Sequence, residues 1–132
     1  HLVKEIRKQP DVKENGGKYY LIATGETEHL KHETAHGMYY TIPEYREAQD
    51  TITAKWKSAE KAKKALIALG YVNRAYIIRD EMQAFFATES IEYLTESLDY
   101  KASWRKPKAY NTNFKKYLKS AKIKLPKGTY KK

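Results

Sequence analysis

The sequence predicts an α+β fold dominated by helix. Two stretches near the amino end are rich in β-formers, apolar residues recur at three- and four-residue spacing from residue 45 onward, and Gly, Pro and hydroxyl residues punctuate these runs. At 132 residues the chain fits a single domain, 1–132, with no internal repeat and no linker.

In chain order, residues 2–7 and 18–24 read as strands. The second is the better, because Lys18-Tyr19-Tyr20-Leu21-Ile22-Ala23-Thr24 follows the turn signal Asn15-Gly16-Gly17. Thr24 or Thr27 can cap a helix that runs to about Tyr40, with Glu26 and Glu28 suited to its positive end. Thr41-Ile42-Pro43-Glu44 has the form of a capping box with Pro in the first turn of the next helix. Tyr45, Ala48, Ile52, Trp56 and Ala59 then form an apolar stripe, and the helical pattern persists to Leu69 and stops at Gly70, as one helix or as two broken near Ser58. A further helix is expected over roughly Asn73 to Leu98, carrying Ile77, Ile78, Met82, Phe85, Ile91 and Leu94. A last amphipathic piece with Phe114, Tyr117, Leu118 and Ala121 precedes Pro126-Lys127-Gly128.

Composition narrows the function classes. Without cysteine there is no disulfide, no thiolate nucleophile and no Cys-based zinc site, so any metal must sit on nitrogen and oxygen ligands. No apolar run approaches the length of a membrane span and the amino end shows no signal-peptide core, so a cytoplasmic location is expected. The net charge of +10 is unevenly placed: residues 101–132 hold eleven lysines and Arg105 against no acid, leaving the first hundred residues slightly acidic.

The residues that carry chemistry are His32-Glu33-Thr34-Ala35-His36. On a helix, two histidines four residues apart share one face and can converge on one ion, with Glu33 beside them to act on water without ligating. The alternative is an exposed helix that happens to carry two histidines, but Leu30, Gly37 and Met38 give that face an apolar border. Zinc needs a third protein ligand and an open position. His1 and His29 both precede the motif, and Ile42 stands where a third histidine of the metzincin pattern would be, so a carboxylate is required. Glu81 is the candidate, since Ile77, Ile78, Ala84 and Phe85 surround it at helical spacing and a carboxylate in such a stripe needs a cation. Asp80 is the rival from the same turn, pointing about 100° away.

With two histidines and a downstream Glu, the arrangement resembles the gluzincin clan of zinc metallopeptidases, and in its small size the minigluzincins. Asp80-Glu81-Met82-Gln83-Ala84-Phe85 is similar to the clan's second element, an Asn-Glu pair on a later helix, with Asp80 where Asn is usual. The resemblance spans about residues 18–98 and implies a zincin-like fold, in which a small N-terminal β-sheet flanks the HExxH helix and that helix packs on others. It implies Zn2+ held by His32, His36 and Glu81, Glu33 as general base, and peptide or protein substrates. It also implies an oxyanion stabiliser, for which Tyr39, Tyr40, Tyr45, Tyr71 and Tyr76 are near enough in sequence; His29 is a further accessory candidate. One departure is informative. The clan places an Asp four residues after the third ligand to orient a ligand histidine, and here that position is Phe85, so Glu89, Glu92 or Asp50 must take the role.

The rival reading is a basic nucleic-acid-binding or protein-interaction module with a structural or vestigial metal site. It rests on segment 101–132, where lysines interleave with Trp104, Tyr110, Phe114, Tyr117 and Tyr130. The regular spacing of 114, 117, 118 and 121 favours instead a helix docked on the core with its lysines in water. A segment lying in the cleft to keep the protein latent is a third arrangement.

Overall fold

A proline, a glycine and a serine set the main helix boundaries. The computed structural model describes residues 30–122, and among these every regular element is helical. The elements are α1 (Leu30–Thr41), α2 (Pro43–Lys55), α3 (Ala59–Leu69), α4 (Ala75–Thr88), α5 (Ile91–Leu98), a 3-10 turn (Ala102–Trp104) and α6 (Ala109–Ser120). The α+β expectation is therefore corrected: the described residues form a helical bundle with no strand and no sheet. Both stretches that carried the β expectation, 2–7 and 18–24, lie outside the described residues, as does the stretch 24–29 proposed to start the first helix.

Pro43 opens α2, where its missing N–H costs nothing. The expected capping box does not form. Thr41 still belongs to α1 and its hydroxyl donates back to the Gly37 carbonyl at 2.8 Å, while extended Ile42 stands at the cap without a side-chain bond. The 44–69 pattern is two helices, because Trp56 turns extended (φ −76°, ψ 119°) and its indole N–H donates to the Trp104 carbonyl at 2.6 Å. Gly70, at φ +121°, closes α3 in a conformation that side chains disfavour. The expected helix over 73–98 is also two, since Glu89 is extended (ψ 152°) and the Ser90 hydroxyl accepts from the Tyr93 N–H at 3.1 Å to cap α5.

Helix α4 lies at the centre and packs against α1, α2, α3 and α6. Its buried residues are Ile78, Met82 and the run Gln83–Ala87. Where α4 meets α6 the packing is aromatic: the Phe86 ring meets Tyr110 of α6 at 6.4 Å, with Trp56 from the end of α2 at 5.0 Å and Tyr100 after α5 at 6.0 Å. Tyr110 and Phe114 of α6 are buried, whereas Lys115, Lys116 and Lys119 are exposed. Residues 109–120 are thus a docked amphipathic helix, and residues 123–132 lie outside the described residues.

Candidate metal centre

Helical spacing turns His32 and His36 of α1 to one side, and α4 crosses that side with Asp80 and Glu81. Both imidazoles are buried, and their Nε2 atoms stand 3.1 Å apart. Glu81 Oε1 lies 3.2 Å from His36 Nε2 and 3.6 Å from His32 Nε2. His32, His36 and Glu81 form a group whose ligand atoms could hold a metal ion.

The donor set fits zinc on two grounds. The separations of 3.1, 3.2 and 3.6 Å match one face of a zinc tetrahedron, whose ligand atoms, at bonds of about 2.0–2.1 Å, stand about 3.3 Å apart. A circle through three such points has a radius of about 1.9 Å, just under a bond length, so all three atoms can reach one ion and a fourth position is left. Second, Glu81 Oε1 is buried and has no hydrogen-bond partner: it is within ion-pair reach of both imidazoles but out of line with either. A buried carboxylate oxygen in that position calls for a cation.

Electrostatics agree with a site made for positive charge. Burial pushes the Glu81 carboxyl up, and the two imidazoles more than reverse this, holding it down at about 2. Burial pulls the His36 imidazole down, but Asp80 and Glu81 outweigh it and lift it to about 10. His32 is shifted upward in the same way, burial being outweighed by Glu81 and Glu89. Without metal, a proton on His36 supplies positive charge beside Glu81.

Each histidine turns its other nitrogen to an acid. His36 Nδ1 is 2.9 Å from Asp80 Oδ1 in a hydrogen bond, and His32 Nδ1 is 3.2 Å from Glu89 Oε2 at ion-pair distance. Asp80 therefore stands beside His36 rather than among the three converging ligand atoms. Glu89 reaches His32 because α4 ends at Thr88. Of the other acids considered for this role, Asp50 accepts from the Tyr39 hydroxyl at 2.7 Å and Glu92 is exposed. Phe85, where the clan has Asp, sets its ring edge-on to His32 at 4.6 Å.

The tyrosines separate clearly. Tyr39 and Tyr45 are buried with their hydroxyls committed to Asp50 and Gln83. Tyr40 and Tyr76 are about half exposed. Tyr71 is half-buried, and its hydroxyl is pushed up to about 12, first by burial and then by the charges of Glu81, Tyr93, Glu33 and Glu89. Tyr71 thus lies within the electrostatic influence of Glu81, Glu89 and partly buried Glu33. His29 lies outside the described residues. Sequence reasoning missed Tyr93, which stacks on Phe85 at 6.3 Å, and Gln83, which donates to Asp80 at 3.0 Å. Gln83 carried a usable signal, being an amide among Met82, Ala84 and Phe85, where only a bonded polar group can be buried.

In comparisons with known proteins, no family model, no curated protein and no solved structure matches this chain.

Proposed function

We propose that the chain is a zinc-dependent peptidase of gluzincin type, with the ion held by His32, His36 and Glu81. The observation that carries this reading is the spacing of the three donor atoms, which matches a tetrahedral face with a buried carboxylate oxygen that makes no hydrogen bond at one corner. Bound zinc supplies Lewis acidity, which makes water more acidic and polarises a carbonyl. Glu33 takes the proton of the attacking water on its carboxylate and delivers it to the leaving amine. Tyr71 donates its hydroxyl proton in a hydrogen bond to the carbonyl oxygen as negative charge grows there. Asp80 and Glu89 keep both imidazoles turned with Nε2 inward and offset part of the ion's charge.

Against the nucleic-acid reading stands the burial of Trp104, Tyr110 and Phe114, which leaves partly buried Tyr117 as the basic segment's one aromatic among the described residues with surface for base stacking. Among the described residues no helix is long and apolar enough to cross a membrane.

Elemental analysis of protein purified without chelator is expected to give about one zinc per chain. Glu33→Gln is expected to keep that zinc while peptide hydrolysis falls at least about a hundredfold. Protein that neither carries zinc nor rebinds it tightly would refute the reading, and undiminished turnover in Glu33→Gln would remove Glu33 from its role.

A further inference from the structure

A continuous chain of hydrogen bonds, buried in its middle and partly buried at its two ends, links α6 to His36. Asn113 Nδ2 donates to Gln49 Oε1 at 3.1 Å, and Gln49 Nε2 donates to the Tyr45 hydroxyl at 3.0 Å. The Tyr45 hydroxyl donates to Gln83 Oε1 at 2.5 Å, Gln83 Nε2 donates to Asp80 Oδ1 at 3.0 Å, and that same Asp80 oxygen meets His36 Nδ1 at 2.9 Å. Tyr45, Gln49 and Gln83 are fully buried.

The direction of every bond is fixed by the chemistry of its members. Gln83 has two amide hydrogens, and they go to the Ala35 carbonyl at 3.1 Å and to Asp80. Its oxygen accepts from Tyr45, so reversing the amide would set oxygen against two acceptors and an N–H against a hydroxyl that would have to turn. Asp80 Oδ1 accordingly ends the chain as an acceptor. His36 Nδ1 must therefore be the donor in its bond to Asp80, and in the neutral ring this leaves a bare lone pair on Nε2, the atom that faces Glu81. Aligned donors shielded from solvent also polarise one another, which strengthens the bonds of the buried middle.

We propose that Gln83 and Tyr45 are positioning residues for the metal ligand His36, acting through Asp80 to hold the imidazole in its ligating tautomer and orientation. The inference rests on the metal reading above and goes beyond it, because neither residue touches the ligand atoms. It also gives α6 a stake in the centre, since Asn113 and the Tyr110 carbonyl fix Gln49 at the far end.

The test uses the full chain and three variants. Gln83→Met keeps the length of the side chain and removes its bonds, Tyr45→Phe removes one hydroxyl, and Asn111→Leu is the control. Asn111 bonds the Ala87 carbonyl at 2.7 Å, in the same α4–α6 contact but outside the chain to Asp80. Zinc affinity is measured by competition with a chromophoric chelator, stability by thermal unfolding in chelator, and the His36 tautomer by long-range proton–nitrogen NMR of the zinc-loaded protein. Gln83→Met is expected to weaken zinc binding about tenfold or more and to disturb the Nδ1–H signature of His36. Tyr45→Phe is expected to weaken it less, roughly threefold. Asn111→Leu is expected to lose stability with unchanged affinity. Wild-type affinity in both Gln83→Met and Tyr45→Phe, or a loss in Asn111→Leu that matches theirs, overturns the proposal while leaving the metal reading intact. Should Gln83→Met fail to fold, Tyr45→Phe decides alone by affinity and tautomer. A wild-type chain that binds no zinc overturns both.

Discussion

On the side of α4 that faces α1, Asp80, Glu81 and Gln83 bring polar groups into the core beside Phe85; on the side that faces α6, the central group is the ring of Phe86. The aromatic side needs no further account. Burying a large ring is favourable in itself, and Trp56, Tyr100 and Tyr110 close around Phe86 edge to face or offset. The polar side is costly on the same scale, since each carboxylate taken out of water must be repaid by a partner of opposite charge or by hydrogen bonds. A fold that needed only stability could have put aliphatic residues at 80, 81 and 83. What the contrast teaches is where to look for function: in the part of the core that hydrophobic burial does not explain.

The largest expected effect breaks the aromatic side. Phe86→Ala removes a fully buried ring at the meeting of three others, and unfolding in urea is expected to show a loss of about 3–5 kcal/mol. The loss should be the same with and without added zinc, because Phe86 touches no ligand residue directly. A loss that appeared only in zinc-loaded protein would erase the distinction between the two sides.

Next in size is the polar side itself. Glu81→Ala removes the one proposed ligand that α4 carries and is expected to cut zinc affinity at least a hundredfold, about 2.7 kcal/mol. Asp80→Ala removes only the partner of His36 Nδ1, and the expected loss is smaller, roughly ten- to a hundredfold. A reversed order in the chelator titration would make Asp80 the ligand and Glu81 the supporting acid.

These comparisons show which parts of the molecule a sequence can disclose. The paired histidines were legible because the helix itself places residues four apart on one face. Glu81 was legible because an acid in an apolar stripe is anomalous before any partner is known. Glu89 was named only as one of three acids, since its reach depends on the break after Thr88. In one uninterrupted helix it would sit about 12 Å along the axis from Glu81. The Ser90 cap that makes the break was present in Ser90-Ile91-Glu92, a hydroxyl followed by an acid in the first turn. For Tyr39 and Tyr45 the sequence could not disclose where the hydroxyls go. Nearness in sequence to the motif says nothing about the hydroxyl, and theirs are claimed by Asp50 of α2 and Gln83 of α4. The β expectation drew on residues 2–7 and 18–24, outside the described part, and nothing in α1–α6 supports a sheet.

The response to pH is spread over several units and so is the gentlest at any one pH, and it sharpens the contrast because the titrating histidines lie on the polar side. Metal-free, His36 is lifted from 6.5 to about 10, with burial lowering it and Asp80 and Glu81 raising it by more. A histidine raised on folding contributes stability that is complete below its unfolded value of 6.5 and is lost as pH rises through 10. Glu81 runs the other way: lowered from 4.5 to about 2, against the upward push of burial, by the imidazoles, it contributes above 4.5 and loses that contribution as pH falls through 2. The chelated protein is therefore expected to melt highest between pH 4.5 and 6.5 and to lose stability gradually toward pH 10. Zinc-loaded protein should lack the alkaline part of that decline, because ligand histidines carry no Nε2 proton to lose. Melting curves from pH 5 to 10, with zinc and with chelator, are expected to diverge steadily as pH rises. Parallel curves would mean that the histidines do not change protonation with the metal, and that the α1–α4 contact is as indifferent to charge as the ring of Phe86.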